Sequence, residues 1–198
     1  MRVAVFGAKG RTGQHVVEEL RRAGHEVVAA SRRGDPVPGA TAVAADPATG
    51  EGVERAVEGC DAVVNAMAST KGNRSCSGLA RTLSGREGLR YVSVAGAAVD
   101  MPGDRKGLPD RVLSRLAQRF AGEVVGDRQR ELDVLRGSRL RWTMLRPPRL
   151  VDGPAKGPVR RSLEKPPAIK VTRADLARGV VEALVDDGLV GRAPFVSN

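Results

Sequence analysis

Three observations predict an α/β fold: a single doubly wound parallel sheet with helices on both faces. The chain opens on an apolar run, Arg2-Val3-Ala4-Val5-Phe6, which passes straight into a turn holding Gly7, Gly10 and Gly13. Helical spacing of Val16, Val17, Leu20 and Ala23 follows at once. Short β-branched runs then alternate with helical periodicities, the order expected of a parallel sheet. With 198 residues, 41% hydrophobic and 28% charged, the chain suits one soluble domain spanning 1–198, and residues 147–198 are expected to form a small substrate-side part.

Each element follows from its own stretch. Residues 2–6 read as a buried central strand and 14–23 as an amphipathic helix. Glu26-Val27-Val28-Ala29-Ala30-Ser31 is a second strand, and Pro36 and Pro38 mark the loop after it. A third strand covers 41–45 and ends at Asp46-Pro47; a short helix spans 53–57, and a fourth strand 61–66. A loop and helix occupy 72–83, and a fifth strand, 89–95, lands on Gly96. Residues 100–107 form a surface loop, and 108–120 and 123–136 have helical spacing. A sixth strand, 141–145, is halted by Pro147-Pro148. The basic stretch 152–167, with Pro154, Pro158, Pro166 and Pro167, reads as a mobile segment. Thr172 with Asp175 three residues on is a cap-box start for a helix that turns Leu176, Val180, Val181 and Leu184 inward. Residues 193–197 close the chain as a strand. There is no internal repeat and no domain linker.

Composition excludes several classes. No apolar run is long enough to span a membrane, and the immediate entry into a strand leaves no room for a signal peptide, so a cytoplasmic location is expected. Cys60 and Cys76 make no disulfide scaffold and lack metal-ligand spacing, and His15 and His25 have no triad-like setting. Aromatic residues make up only 3%, so the core must be built from Val, Leu and Ala. The formal charge of +10 would attract polyanions, yet the arginines are scattered and interrupted by acids, with no helix-turn-helix signature. Nucleic acid is therefore not expected as a partner; a basic surface also steers an anionic cofactor. No long exposed apolar helix suggests a dimer seam, so a monomer is expected.

The strand–turn–helix start carries the chemistry. Gly7 permits the sharp turn, Gly10 lets a diphosphate approach the backbone, and Gly13 lets the helix pack close to the strand. Free N–H groups and the positive end of the helix dipole then face an anion. Where NAD-selective folds place an acid at the end of the second strand, this chain has Arg32, 19 residues after Gly13. A guanidinium suits a 2′-phosphate that a carboxylate would repel, so NADP(H) is expected over NAD(H), with Arg11 able to reach the same phosphate from the other side.

With these residues placed, the chain resembles the atypical short-chain dehydrogenase/reductases with an NAD(P)H-binding, Rossmann-like fold. Within them it is similar to the flavin reductase/biliverdin reductase B group. The resemblance runs nearly end to end. It rests on Gly7-Ala8-Lys9-Gly10-Arg11-Thr12-Gly13, Asp46, Gly59-Cys60-Asp61-Ala62-Val63-Val64 and Leu135-Arg136-Gly137-Ser138. It continues through Trp142-Thr143-Met144-Leu145-Arg146-Pro147-Pro148 and Val171-Thr172-Arg173-Ala174-Asp175-Leu176-Ala177. It implies that the glycine turn, with Arg11 and Thr12, holds the pyrophosphate and ribose phosphate, that Arg32 meets the 2′-phosphate and that Asp46 lies beside the adenine. Ala66 and Met67 would line the nicotinamide ribose, Ser93 would stand near the nicotinamide, and Pro147-Pro148 would wall its carboxamide end.

One departure matters. Conventional members use a Tyr-x-x-x-Lys pair as proton donor and pKa-lowering cation. Here Tyr91, the only tyrosine, lies in a strand with Ala95 four residues on, and residues 123–136 contain no lysine, with Arg128 and Arg130 as the nearest cations. Tyrosine-assisted carbonyl reduction is not expected. A flavin, quinone or conjugated tetrapyrrole needs less, because hydride goes to an electron-poor ring and solvent supplies the proton. The expected function is therefore NADPH-dependent hydride transfer to such a small-molecule acceptor, with Ser93 as candidate catalytic donor. The alternatives are a non-enzymatic NADP(H) sensor acting on a transcription regulator, and an epimerase on nucleotide-linked substrates.

Overall fold

The structure is a computed structural model that describes residues 1–68, 72–105, 107 and 122–198. Its centre is a six-stranded, wholly parallel sheet. The strands are β1 (Arg2–Phe6), β2 (Glu26–Ser31), β3 (Thr41–Ala44), β4 (Ala62–Asn65), β5 (Arg90–Val94) and β6 (Arg141–Leu145), in the spatial order β3-β2-β1-β4-β5-β6. The order reverses between β1 and β4, and a crevice opens there at the carboxyl ends of the strands.

Period-two alternation along β1 assigns its side chains to two cores. Val3 and Val5 join Val16, Val17, Leu20, Leu176, Val180 and Leu184 on one face, where α1 (Arg11–Arg22) packs on α5 (Arg173–Val185). Ala4 and Phe6 join Leu79, Leu83, Leu132 and Leu135 on the other, where α3 (Ser75–Leu83) packs on α4 (Gly122–Arg136). Leu20, Leu79, Leu83, Leu132 and Leu135 are all fully buried; each such side chain stabilises the fold by about 2 kcal/mol. Helices therefore cover both faces, as the alternating pattern predicts.

Two helix ends are satisfied by side chains distant in sequence, and one by its own cap. No side chain of its own caps α3; Asp127 of α4 accepts from the Cys76 and Ser77 amides and from Ser77 Oγ. The cap-box reading of α5 holds: Thr172 Oγ1 accepts from the Asp175 amide at 3.0 Å. Buried Arg90 donates from Nε to the Leu184 carbonyl at the other end of α5, at 3.2 Å, and from Nη2 to Thr143 Oγ1.

The structure corrects several expectations. The first helix begins at Arg11 rather than 14, because Gly10 already has the extended backbone of an N-cap. The short second helix, α2 (Val53–Ala56), is a single turn. The stretch 152–167, expected to be mobile, is tied down. Its β8 (Arg160–Ser162) pairs antiparallel with β10 (Phe195–Ser197), and the Lys156 and Gly157 amides donate to Asp175. Beside it, β7 (Leu150–Val151) pairs with β9 (Val171–Thr172). The helix expected over 108–120 lies outside the described residues. Among the described residues no helix is long and apolar enough to cross a membrane.

Candidate functional site

The glycine turn is a close-packed junction. Gly7 has φ +85°, and a Cβ there would lie 2.7 Å from the Met67 nitrogen; one on Gly13 would lie 2.0 Å from the Gly7 carbonyl oxygen. Both are contacts with backbone that cannot move aside, so only glycine fits either position. The Gly10 amide donates to Gly7 O at 2.9 Å and closes the turn. No side chain caps the start of α1 and no acid sits in its first turn. The opening amides and the positive helix end are thus presented to the crevice without a competing anion.

Two cavities flank the Ala66–Met67 segment and share Gly10, Ala66 and Met67 in their walls. The smaller, about 270 Å³, runs from Phe6, Gly7 and Lys9 past Ser31 and Arg32 to Ala45 and Pro47. The larger, about 380 Å³, lies over Arg11 and Thr12 and is walled by Val94, Ala95, Val99, Val124, Val125 and Leu150, with Arg128 and Arg173 as further cations. Together they make a crevice that spans the switch point between β1 and β4.

At the smaller cavity Lys9 pairs with Asp35 at 3.3 Å and Arg33 with the same carboxylate at 3.6 Å. Among the described residues no ion pair holds Arg32, which stays exposed on the wall. Arg11 does not reach that side: it lines the larger cavity and its Nη1 is 3.8 Å from Asp152. Lys9, not Arg11, is the second cation beside Arg32, because the start of α1 turns Arg11 the other way. Asp46 is held in a turn, its Oδ1 accepting from the Ala48 amide at 2.9 Å, with Ala45 and Pro47 on either side of it in the wall. A Cβ on Gly78 would lie 2.1 Å from the Pro47 carbonyl oxygen, so that glycine lets α3 pack directly beneath the turn.

Beneath the larger cavity lies a sealed polar network. Glu131, fully buried, accepts at Oε1 from Asn65 Nδ2 at 2.7 Å, Tyr91 OH at 2.8 Å and Ser93 Oγ at 2.8 Å. Its Oε2 accepts from Arg128 Nη1 at 2.6 Å, and Arg128 also donates to the Met67 carbonyl and to Ser93 Oγ. Burial, and then the adjacent Glu131 charge, push the Tyr91 pKa well above its ordinary value. Burial works against the Arg128 charge, but Glu131 more than reverses it, so that the guanidinium pKa is raised. The structure places Ser93 in this network: its hydroxyl is fully buried, donated to Glu131, and not in the cavity wall. Pro147 is buried, its carbonyl accepts from the Ala97 amide at 2.9 Å, and Leu150 lies in the wall.

The structure places Ala66 and Met67 in the walls of both cavities and the glycine turn in one or both of them. Asn65, Arg128, Glu131 and Arg173 were missed. A signal for two of them exists, since Arg128 and Glu131 share the face of α4 that buries Leu132 and Leu135. Polar residues on a buried stripe are paired, and the pair points at what they support.

Solved structures of similar proteins share this fold over the whole chain. An anaerobillin reductase, ChuY, from Escherichia coli O157:H7 is 22% identical, with a TM-score of 0.80 and coverage of 100% of this chain and 97% of that one. A short-chain dehydrogenase/reductase from Veillonella parvula DSM 2008, in complex with NADP, is 20% identical with a TM-score of 0.77, covering 100% and 94%. A candidate NADH-flavin reductase from Streptococcus pneumoniae TIGR4 is 22% identical with a TM-score of 0.76, covering 100% and 99%. The family model described as NAD(P)H-binding matches residues 7–187. With that match spanning both the glycine turn and the capped start of α5, the chain belongs to the NAD(P)H-binding family.

Proposed function

We propose that this protein is an NADPH-dependent reductase that delivers hydride to a planar, electron-poor acceptor such as a flavin, quinone or conjugated tetrapyrrole. The observation that carries the reading is the larger cavity: apolar side chains wall it beside the uncapped glycine turn, while the Tyr91 and Ser93 hydroxyls are sealed on Glu131. Among the described residues the only hydroxyl in its wall is that of Thr12, in the glycine turn; such a site orients a ring and suits acceptors protonated by solvent.

The residues fit the dinucleotide. The amides of Arg11 and Thr12 are free of side-chain caps and would hold the diphosphate. Arg32 and Lys9 would meet the 2′-phosphate, with Asp46 toward the adenine and Ala66 and Met67 against the nicotinamide ribose. Once bound, the cofactor supplies the hydride. Arg128 would fix the Met67 carbonyl, and so the floor on which the nicotinamide side rests. Val94, Ala95, Val124, Val125 and Leu150 would face the acceptor. The sealed hydroxyls also favour a second reading, a non-enzymatic NADP(H) sensor, and disfavour epimerase chemistry, which needs a reachable acid–base pair.

Turnover separates the two. Mixed with NADPH and riboflavin, FMN or a quinone, the protein is expected to oxidise the cofactor, followed by loss of nicotinamide absorbance. Tight NADPH binding without oxidation across that panel would overturn the reductase and leave the sensor.

A further inference from the structure

We infer that Arg173 and Arg11 form an anion subsite at the rim of the larger cavity, and that the acceptor carries a phosphate or carboxylate that displaces Asp152 from it. This rests on the reductase reading above and names the class of acceptor it takes.

Arg173 is the first residue of α5 and only 7% exposed. A cation at a helix N-terminus opposes the helix dipole, and a buried one requires an anionic partner. Its described partner is exposed: Asp152, whose side chain is 68% accessible, with Oδ1 at 2.6 Å from Arg173 Nη1. The other oxygen of the same carboxylate lies 3.8 Å from Arg11 Nη1. Two guanidinium groups, one from the glycine turn and one from a separate helix, thus converge on one surface carboxylate at the wall that holds Leu150.

Among the described residues charge does not balance there. Asp175, the next acid along α5, is occupied by Thr172 Oγ1, Asn198 Nδ2 and the Lys156 and Gly157 amides. Two cations therefore share a single carboxylate, and a phosphate, with more charge and three acceptor oxygens, matches the pair better. Asp152 is held by these two side chains at an exposed position, so an incoming anion has little to displace. Arg11 and Arg173 line the larger cavity together with Leu150, on the side given above to the acceptor, and not the smaller cavity that holds Lys9 and Arg32.

FMN and riboflavin share one ring and differ by a phosphate, so they test the subsite. With NADP⁺ saturating, quenching of flavin fluorescence should give FMN a Kd lower than riboflavin's by roughly tenfold, the worth of one charge-assisted fork. Asp152→Asn should widen that ratio several-fold, and Arg173→Gln should bring it toward one. Equal Kd values for the two flavins, unmoved by Asp152→Asn, would overturn the subsite. So would an Asp152→Asn variant that tightens NADP⁺ as much as FMN, which would assign the arginines to the diphosphate. NADPH oxidation in the same samples keeps the two claims apart. Turnover of both flavins without FMN preference overturns the subsite alone; FMN preference without turnover supports the subsite and overturns the reductase.

Discussion

The Tyr91 hydroxyl donates to Glu131 Oε1 at 2.8 Å, and both side chains are fully buried. The one tyrosine of the chain is thereby used as a structural donor, with its pKa raised by burial and by Glu131. It cannot deliver a proton to the cavity without breaking the network that supports Met67 from below.

Tyr91→Phe follows from that placement. Glu131 Oε1 keeps its Asn65 and Ser93 donors, so the loss in stability is expected to be about 1 kcal/mol, measured by urea unfolding. Reduction of a flavin should keep kcat within roughly twofold of the parent protein. A drop of about a hundredfold would mean that the hydroxyl reaches the reacting atoms.

Glu131→Gln should be far more damaging. It leaves the buried Arg128 guanidinium without its counter-ion, and breaking such a pair costs about 3 kcal/mol or more. Released from Glu131, Arg128 would hold the Met67 carbonyl less firmly, and NADPH affinity should fall with stability. Unchanged urea midpoints would show that the pair contributes nothing.

Arg32→Asp addresses cofactor choice. The guanidinium on the wall beyond Ser31 has no described ion-pair partner, and an acid there would repel a 2′-phosphate. NADPH affinity is expected to fall by at least about tenfold while NADH affinity changes little. Equal losses of both would remove Arg32 from the 2′-phosphate.

Asp175 gives the protein an acid-sensitive clamp. Burial raises its pKa, but hydrogen bonds from Asn198, Thr172 and the Lys156 and Gly157 amides outweigh it and hold the carboxyl below its ordinary value. The folded pKa lies below the unfolded one. The stabilisation is therefore complete above about pH 4 and fades as pH falls through the folded value. Urea midpoints of the parent protein should decline through that range, and Asp175→Asn should decline less. Parallel declines would contradict the clamp.

The sheet was legible because its strands are apolar runs ended by Gly, Pro or Asn, and β1 and β2 carry nearly unbroken Val and Ala. The cofactor side was legible for the same local reason: Gly7, Gly10, Gly13 and Arg32 lie at fixed distances along one βαβ stretch. What escaped reading depends on residues distant in sequence. The pairing of β8 with β10 joins Ser162 to Phe195, and nothing in a polar stretch such as Arg160-Arg161-Ser162 announces a strand. The Ser93 hydroxyl is claimed by Glu131, 38 residues away, a contact that no local pattern shows. Arg11 lies at the larger cavity and not beside Arg32, and its partner there, Asp152, comes from a distant part of the chain.

The most direct test is a titration of the protein with NADPH and with NADH, followed by nicotinamide fluorescence. Enhanced emission with NADPH binding at least about tenfold tighter than NADH is the result expected of a glycine turn flanked by Arg32 and Lys9. No binding of either, or equal binding of both that Gly13→Ala leaves intact, would contradict the account.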